Sequence, residues 1–354
     1  MLRCGDLAVC DVVLRRLSFR IVALMVATLT TAATVGAPAG GATTALPTWS
    51  RWLHLRGVLD VAGPRSDGRL VAAVRGRLML VDPSGKTTAF APTYSVGAHP
   101  ESYITLSPGL GVGGAHCDFA RDEILALDLK SSPPGVTRID AHGKVSQLTK
   151  VKGVSTLRGI ALDTLGDFGH RLLVAAPVGK GKTRLFAVDC RGTVTTIATV
   201  PVALEGGLAI APPSFRPYGG QLIAPDEGNG TIYAVSSRGR LSIIAKPAVP
   251  KGGDIGVEAA GFAPTTPPVA AYLADRGTPA SARPHAGTDS LLRLDRAALA
   301  AAGVEPGDLL VGAEGGAVVV AVRCTTVCIA TKVATGPSAA HAEGHLIIAA
   351  RVTP

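Results

Sequence analysis

A five-residue pattern recurs along this chain: an apolar residue, Asp or Ser, two variable positions, then Gly. It reads VDPSG at 81–85, IDAHG at 139–143, VDCRG at 188–192 and VSSRG at 235–239, with glycines 58, 49 and 47 residues apart. Each copy is a tight reversal. The Asp or Ser side chain accepts hydrogen bonds from the turn amides, and Gly supplies the positive φ where the chain resumes. An alternating run follows every copy: KTTAFAP, KVSQLTKV, TVTTIATV and RLSIIAKP. Apolar runs such as TRLFAVD and TIYAVSS precede the turns, with RLLVAAP and QLIAPDE before those. A further unit, DLLVGAEGGAVVVAVRCTTVCIATKVA, aligns with QLIAPDEGNGTIYAVSSRGRLSIIAKPA. Four short strands in a repeat of this length are one blade of a β-propeller.

Six segments share a second form, a charged residue, two intervening positions, then apolar residues. They begin at Arg56, Glu101, Arg158, Glu205, Glu258 and Glu343, with gaps of 45, 57, 47, 53 and 85 residues. The fold class is therefore all-β, a propeller of six blades, with the last gap leaving seven open. The 43 glycines and 25 prolines suit short strands and tight turns. The clearest helix-period run is DRAALAAAG, 295–303.

Arg15, Arg16 and Arg20 flank an uncharged apolar run, 21–35, followed by Ala37-Pro38-Ala39. This is the form of a secretory signal. The reading divides the chain into a signal peptide with a short extension (1–39), a linker (40–53) and the propeller (54–354). It predicts a secreted or extracytoplasmic protein, or one held by an uncleaved N-terminal anchor as the only membrane contact. Export permits disulfides, and the candidates are Cys117, Cys190, Cys324 and Cys328. The net charge of +9 is spread without basic runs or interleaved aromatics, which predicts no nucleic-acid partner.

In a propeller the first strand of each blade lines the channel, so the six charged positions form a ring at one mouth. Signs alternate over Glu343, Arg56, Glu101 and Arg158, which predicts ion pairs. Glu205, Glu258 and Glu343 are adjacent with no Arg between them. Second strands add Asp226, Glu227, Asp275 and Glu314 at the same face. Like charges at short range raise one another's pKa or recruit a cation. His54, His99 and His341 each lie two residues before a ring position, and His345 two after one. His with carboxylates suits Zn²⁺ or a transition metal; an all-oxygen set suits Ca²⁺. The loop 277–290, with His285 and Asp289, joins strands on this face and is a candidate lid. VGKGKT, 178–183, falls short of a phosphate-binding loop. Ala176 stands where the motif needs Gly, and a strand follows where it needs a helix, so it reads as a basic turn.

These blades resemble those of the six-bladed superfamily that includes NHL repeats, SMP-30/gluconolactonase proteins and strictosidine-synthase-like proteins. The resemblance covers roughly 54–352. It implies a divalent cation held in the channel by Glu, Asn and Asp. Glu205 in LEGGLA resembles the family's Glu motif, and Asp275 in AYLADRG and Asp226 in LIAPDEG resemble its Asp. Asn229 is the sole Asn of the chain, and the family's Asn ligands have no clear counterpart. The metal candidates are Glu205, Glu258, Asp275, Asp226, Glu343 and His341, with Ca²⁺ the first expectation. The function expected is a monomeric binding module that takes a small molecule or a cell-envelope partner at the channel mouth. The alternative is a cation-dependent lactone or ester hydrolase, its cation on Glu205, Glu258 and Asp275. No residue is assigned a catalytic role.

Overall fold

The computed structural model describes residues 45–96, 101–252, 254–277 and 284–350. The signal-like segment and His99 lie outside the described residues.

Six four-stranded antiparallel blades surround a channel. Middle strands of each blade are buried on both faces, because a neighbouring blade packs against each. They therefore read as unbroken apolar runs, as in Leu172–Pro177 (LLVAAP). Outer strands meet solvent and alternate, as in Val194–Val200. Six separate apolar clusters fill the six seams between neighbouring blades. The repeated turns are built as expected: Asp82, Asp140 and Asp189 each accept two backbone N–H bonds within their own turn, and Ser236 accepts one.

Blades 1 to 4 follow chain order. Their inner strands are Val58–Ala62, Ile104–Leu106, Gly159–Leu162 and Ala209–Ile210. Blade 2 carries an extra hairpin, Leu110–Val112 with Cys117–Phe119. The short strand Gly206–Gly207 runs parallel to Gly159–Leu162 and stitches blade 4 to blade 3. A side chain at Gly207 would strike the Gly344 carbonyl at 2.4 Å, and one at Gly206, where φ is +77°, would meet the Glu258 side chain at 2.0 Å. The two glycines after Glu205 let blade 4 approach the channel this closely.

Blades 5 and 6 are interleaved, and this resolves the long gap. Val257–Phe262 is the inner strand of blade 5, yet the next two strands, Ala270–Asp275 and Ser290–Asp295, belong to blade 6. A helix, Arg296–Ala301, capped by the Asp295 carboxylate on Ala298 N–H, returns the chain to blade 5. Leu309–Ala313, Val318–Cys324 and Cys328–Ala334 complete that blade. Ala342–Ala349 then becomes the inner strand of blade 6, and Ser50–His54 its outer strand. The ring thus closes with the first and last described strands in one sheet, and the sealing strand includes residues 50–53 of the expected linker. Asp275, expected on the strand after Glu258 in one blade, instead pairs with Ala342, beside Glu343.

Two disulfides join the four candidate cysteines. Cys117–Cys190 ties the blade 2 hairpin to the turn of blade 3, and Cys324–Cys328 closes the blade 5 hairpin. No helix among the described residues is long and apolar enough to cross a membrane.

Candidate functional site

The inner strand of blade 6 carries His341, Glu343 and His345 at and near its start, all buried. The inner strand of blade 5 adds Glu258, and the end of its neighbour adds Glu314. Interleaving puts these strands side by side, so the side chains of Glu258, Glu314, His341 and Glu343 come together, while His345 turns away toward Asp60. Ligand-capable atoms of Glu258, Glu314 and Glu343 lie within 4.8 Å of one another, as do those of Asp254, Glu314 and His341.

The bonds inside this space are incomplete. His341 Nδ1 lies 3.2 Å from the His285 carbonyl, which can only accept, so Nδ1 carries the proton. Nε2 then faces Glu314 Oε1 at 3.3 Å and Glu343 Oε2 at 3.4 Å. Three buried atoms here, His341 Nε2, Glu314 Oε2 and Glu343 Oε2, have no hydrogen-bond partner. Buried polar atoms are rarely left so. The Tyr103 hydroxyl, fully buried, is shared between Glu258 Oε1 and Glu343 Oε1, 3.0 Å from the latter. Arg276 reaches Glu343 at 3.0 Å and Glu101 at 3.8 Å.

Burial sets the protonation of this cluster. It pushes Glu258 well above the carboxylate range, helped by the charges of Glu343 and Glu314. Burial likewise pushes Glu314 up to about 9, with Glu343 adding to the effect. Glu205 rises to about 7 through burial, although Arg158 opposes the shift. Glu101 is raised by burial and by Glu343. Burial acts to lower His341, but the neighbouring Glu343 carboxylate and the charges of Asp254 and Glu258 together raise it.

The expected ring is only partly an ion-pair ring. Arg158 and Glu205 pair at 2.5 Å. Arg56 is exposed and makes no ion pair among the described residues; Arg276, from blade 6, takes the place foreseen for it between Glu343 and Glu101. Asp275 accepts from His341 N–H, Thr288 N–H and the Thr288 hydroxyl, and so fastens the loop above the site. Asp226 caps its own turn through Asn229. His54 lies on the outermost strand of blade 6, exposed, so the expected convergence of histidines does not form around it. Tyr103, just before the inner strand Ile104–Leu106 of blade 2, was not among the residues expected at the site.

Deeper in the channel, Asp60 joins three blades. Its carboxylate accepts from Val61 N–H (2.8 Å), Ile104 N–H (2.7 Å) and His345 N–H (2.7 Å). His345 Nδ1 lies 3.0 Å from Asp60 Oδ2, and Nε2 lies 2.9 Å from the Ile160 carbonyl. Both ring partners are acceptors only, so both ring nitrogens donate and His345 is an imidazolium. Burial opposes that charge, but Asp60 prevails and raises the His345 pKa. Beyond this clamp, a cleft of about 530 Å³ opens on the opposite face, lined by Arg65, Thr105, Arg121 and Thr164 among others.

Fold and site together define a six-bladed β-propeller with a buried acidic cluster in its channel. No protein-family model and no curated protein matches the chain. Solved structures do. The nidogen/laminin complex aligns at 12% identity over 82% of this chain and 84% of the other, with a TM-score of 0.49. A gluconolactonase from Xanthomonas campestris aligns at 12% over 84% of each chain, TM-score 0.48. The calcium-binding protein regucalcin from Agrobacterium tumefaciens aligns at 11% over 83% and 80%, TM-score 0.47.

Proposed function

We propose that this protein is an exported binding propeller that takes a divalent cation at its channel mouth and presents it to a small-molecule ligand. The observation that carries the reading is the set of three buried, unpartnered atoms, His341 Nε2, Glu314 Oε2 and Glu343 Oε2, in one space. A cation on either ligand set satisfies two of these atoms, Glu314 Oε2 with Glu343 Oε2 or with His341 Nε2, and offsets the burial and repulsion that hold Glu314 protonated. The donors fit such an ion. His285 fixes the His341 proton on Nδ1, the arrangement that leaves Nε2 as a ligand. The triad Glu258, Glu314 and Glu343 suits Ca²⁺; the set Asp254, Glu314 and His341 suits a first-row transition ion or Zn²⁺. The bound ion supplies a Lewis-acidic, positively charged point at the mouth. Two disulfides and the signal-like N-terminus support export.

Titration calorimetry of the chelator-treated protein with Ca²⁺, Mn²⁺ and Zn²⁺ tests the reading. One ion is expected to bind with unit stoichiometry, and Glu314→Gln, common to both ligand sets, is expected to abolish binding. Ca²⁺ preference assigns the carboxylate triad, and Zn²⁺ preference the His341 set. Absence of binding by all three ions sinks the proposal. A second reading, lactone or ester hydrolysis, draws support from Glu205. Its carboxyl, raised to about 7, is in the range of a general base at the same mouth.

A further inference from the structure

The basic turn VGKGKT stands beside the acidic cluster and has an opposite character. A hollow of about 210 Å³ is lined by Arg158, Gly179, Lys180, Gly181, Lys182 and Glu205. Three of its side chains are cations and one is a carboxylate. That carboxylate, Glu205, is already engaged by Arg158. Lys180 and Lys182 are exposed and make no ion pair among the described residues.

The turn's backbone is also open to a ligand. Val178 N–H bonds to the Lys182 carbonyl and Lys182 N–H to the Gly179 carbonyl, which leaves the amides of Lys180 and Gly181 without a backbone partner. Gly179, Lys180 and Gly181 all have positive φ, at +86°, +46° and +67°. No atom lies within 4 Å of where a side chain would sit at either glycine, so this part of the turn is open to an incoming molecule. Two lysines, one guanidinium and two free amides around a concave surface form an anion cradle.

We infer that the hollow beside Arg158 binds the anionic group, carboxylate or phosphate, of the small molecule whose other end meets the cation at the mouth. This rests on the mouth being the binding face, as proposed above, and narrows its ligand to a small organic anion. The hollow admits a carboxylate or phosphate with a few carbons, and Glu205 marks its border with the acidic cluster.

The test is calorimetric titration with inorganic phosphate and, separately, malonate, in chelator and at ionic strength matched with chloride. Wild-type protein is expected to bind at least one of them; phosphate alone or malonate alone identifies which group the cradle accepts. Lys180→Gln/Lys182→Gln, on an exposed turn, is expected to weaken that binding by about tenfold, the loss of one or more charge-assisted hydrogen bonds. Equal affinity in wild type and double variant overturns the inference, as does a wild-type response no greater than that to chloride. Because these titrations contain no divalent ion, failure of the cation proposal leaves their outcome unaffected, and the two can fail separately.

Discussion

Asp60→Ala is expected to lower the unfolding free energy by about 3–5 kcal/mol, the penalty for breaking a buried charge pair and stranding one partner. The carboxylate is fully buried and accepts from the amides of Val61, Ile104 and His345 as well as from the His345 ring. Removing it leaves three buried N–H donors unpaired and an imidazolium without a counter-ion. Asp60→Asn keeps the volume but turns an amide N–H₂ toward one of those donors, so it is expected to lose most of the same stability. Urea unfolding at pH 6, with chelator, measures both. A change below about 1 kcal/mol in Asp60→Ala would place this site among ordinary substitutions and refute the clamp.

The second large effect is on pH. In chelator, the thermal midpoint is expected to fall by several degrees between about pH 5 and about pH 9. The sign follows from proton counts. Glu258, Glu314 and Glu205 have folded pKa values above the ordinary 4.5, to about 9 for Glu314 and about 7 for Glu205. The folded state therefore holds protons that the unfolded state has released, and stability drains away as pH climbs from about 4.5 toward those values. His341 and His345 are raised above the ordinary 6.5. Their contribution is complete below the unfolded value and disappears as pH passes the folded one, so it acts in the same direction. A bound divalent cation replaces those protons, and its stabilising effect is expected to grow with pH. Glu314→Gln is expected to flatten the profile in chelator. A midpoint that stays level or rises from pH 5 to pH 9 contradicts the buried, proton-holding cluster.

Repetition made most of this fold legible. Turn residues with fixed spacing and strands of fixed alternation are local signals, and six charged positions at strand starts marked the channel end that holds the acidic cluster. The exchange between blades 5 and 6 was not legible, because pairing between strands separated by other strands in the chain leaves no mark on local sequence. That exchange also explains why Arg276, rather than Arg56, pairs with Glu343. Asp60 was within reach: in VLDVA it is the lone charge inside an otherwise apolar strand, and a buried charge needs a partner. Tyr103 was hidden for the opposite reason, since an aromatic beside Ile104 looks like ordinary core until a carboxylate is found on each side of it.

The interleaved sheets impose an order on synthesis. Blades 1 to 4 can each close as they leave the ribosome, since their strands are consecutive. Val257–Phe262 then waits for Leu309–Ala313, some fifty residues later, and Ala270–Asp275 waits for the final strand. The outer strand, Ser50–His54, among the first described residues to be made, sits in the last sheet to be finished. A nascent chain halted before residue 341 contains Glu258 and Glu314 but neither His341, Glu343 nor the imidazolium of His345. The acidic mouth therefore comes into being only when Ala342–Ala349 has been made and has entered blade 6, so occupancy of that mouth reports a closed ring.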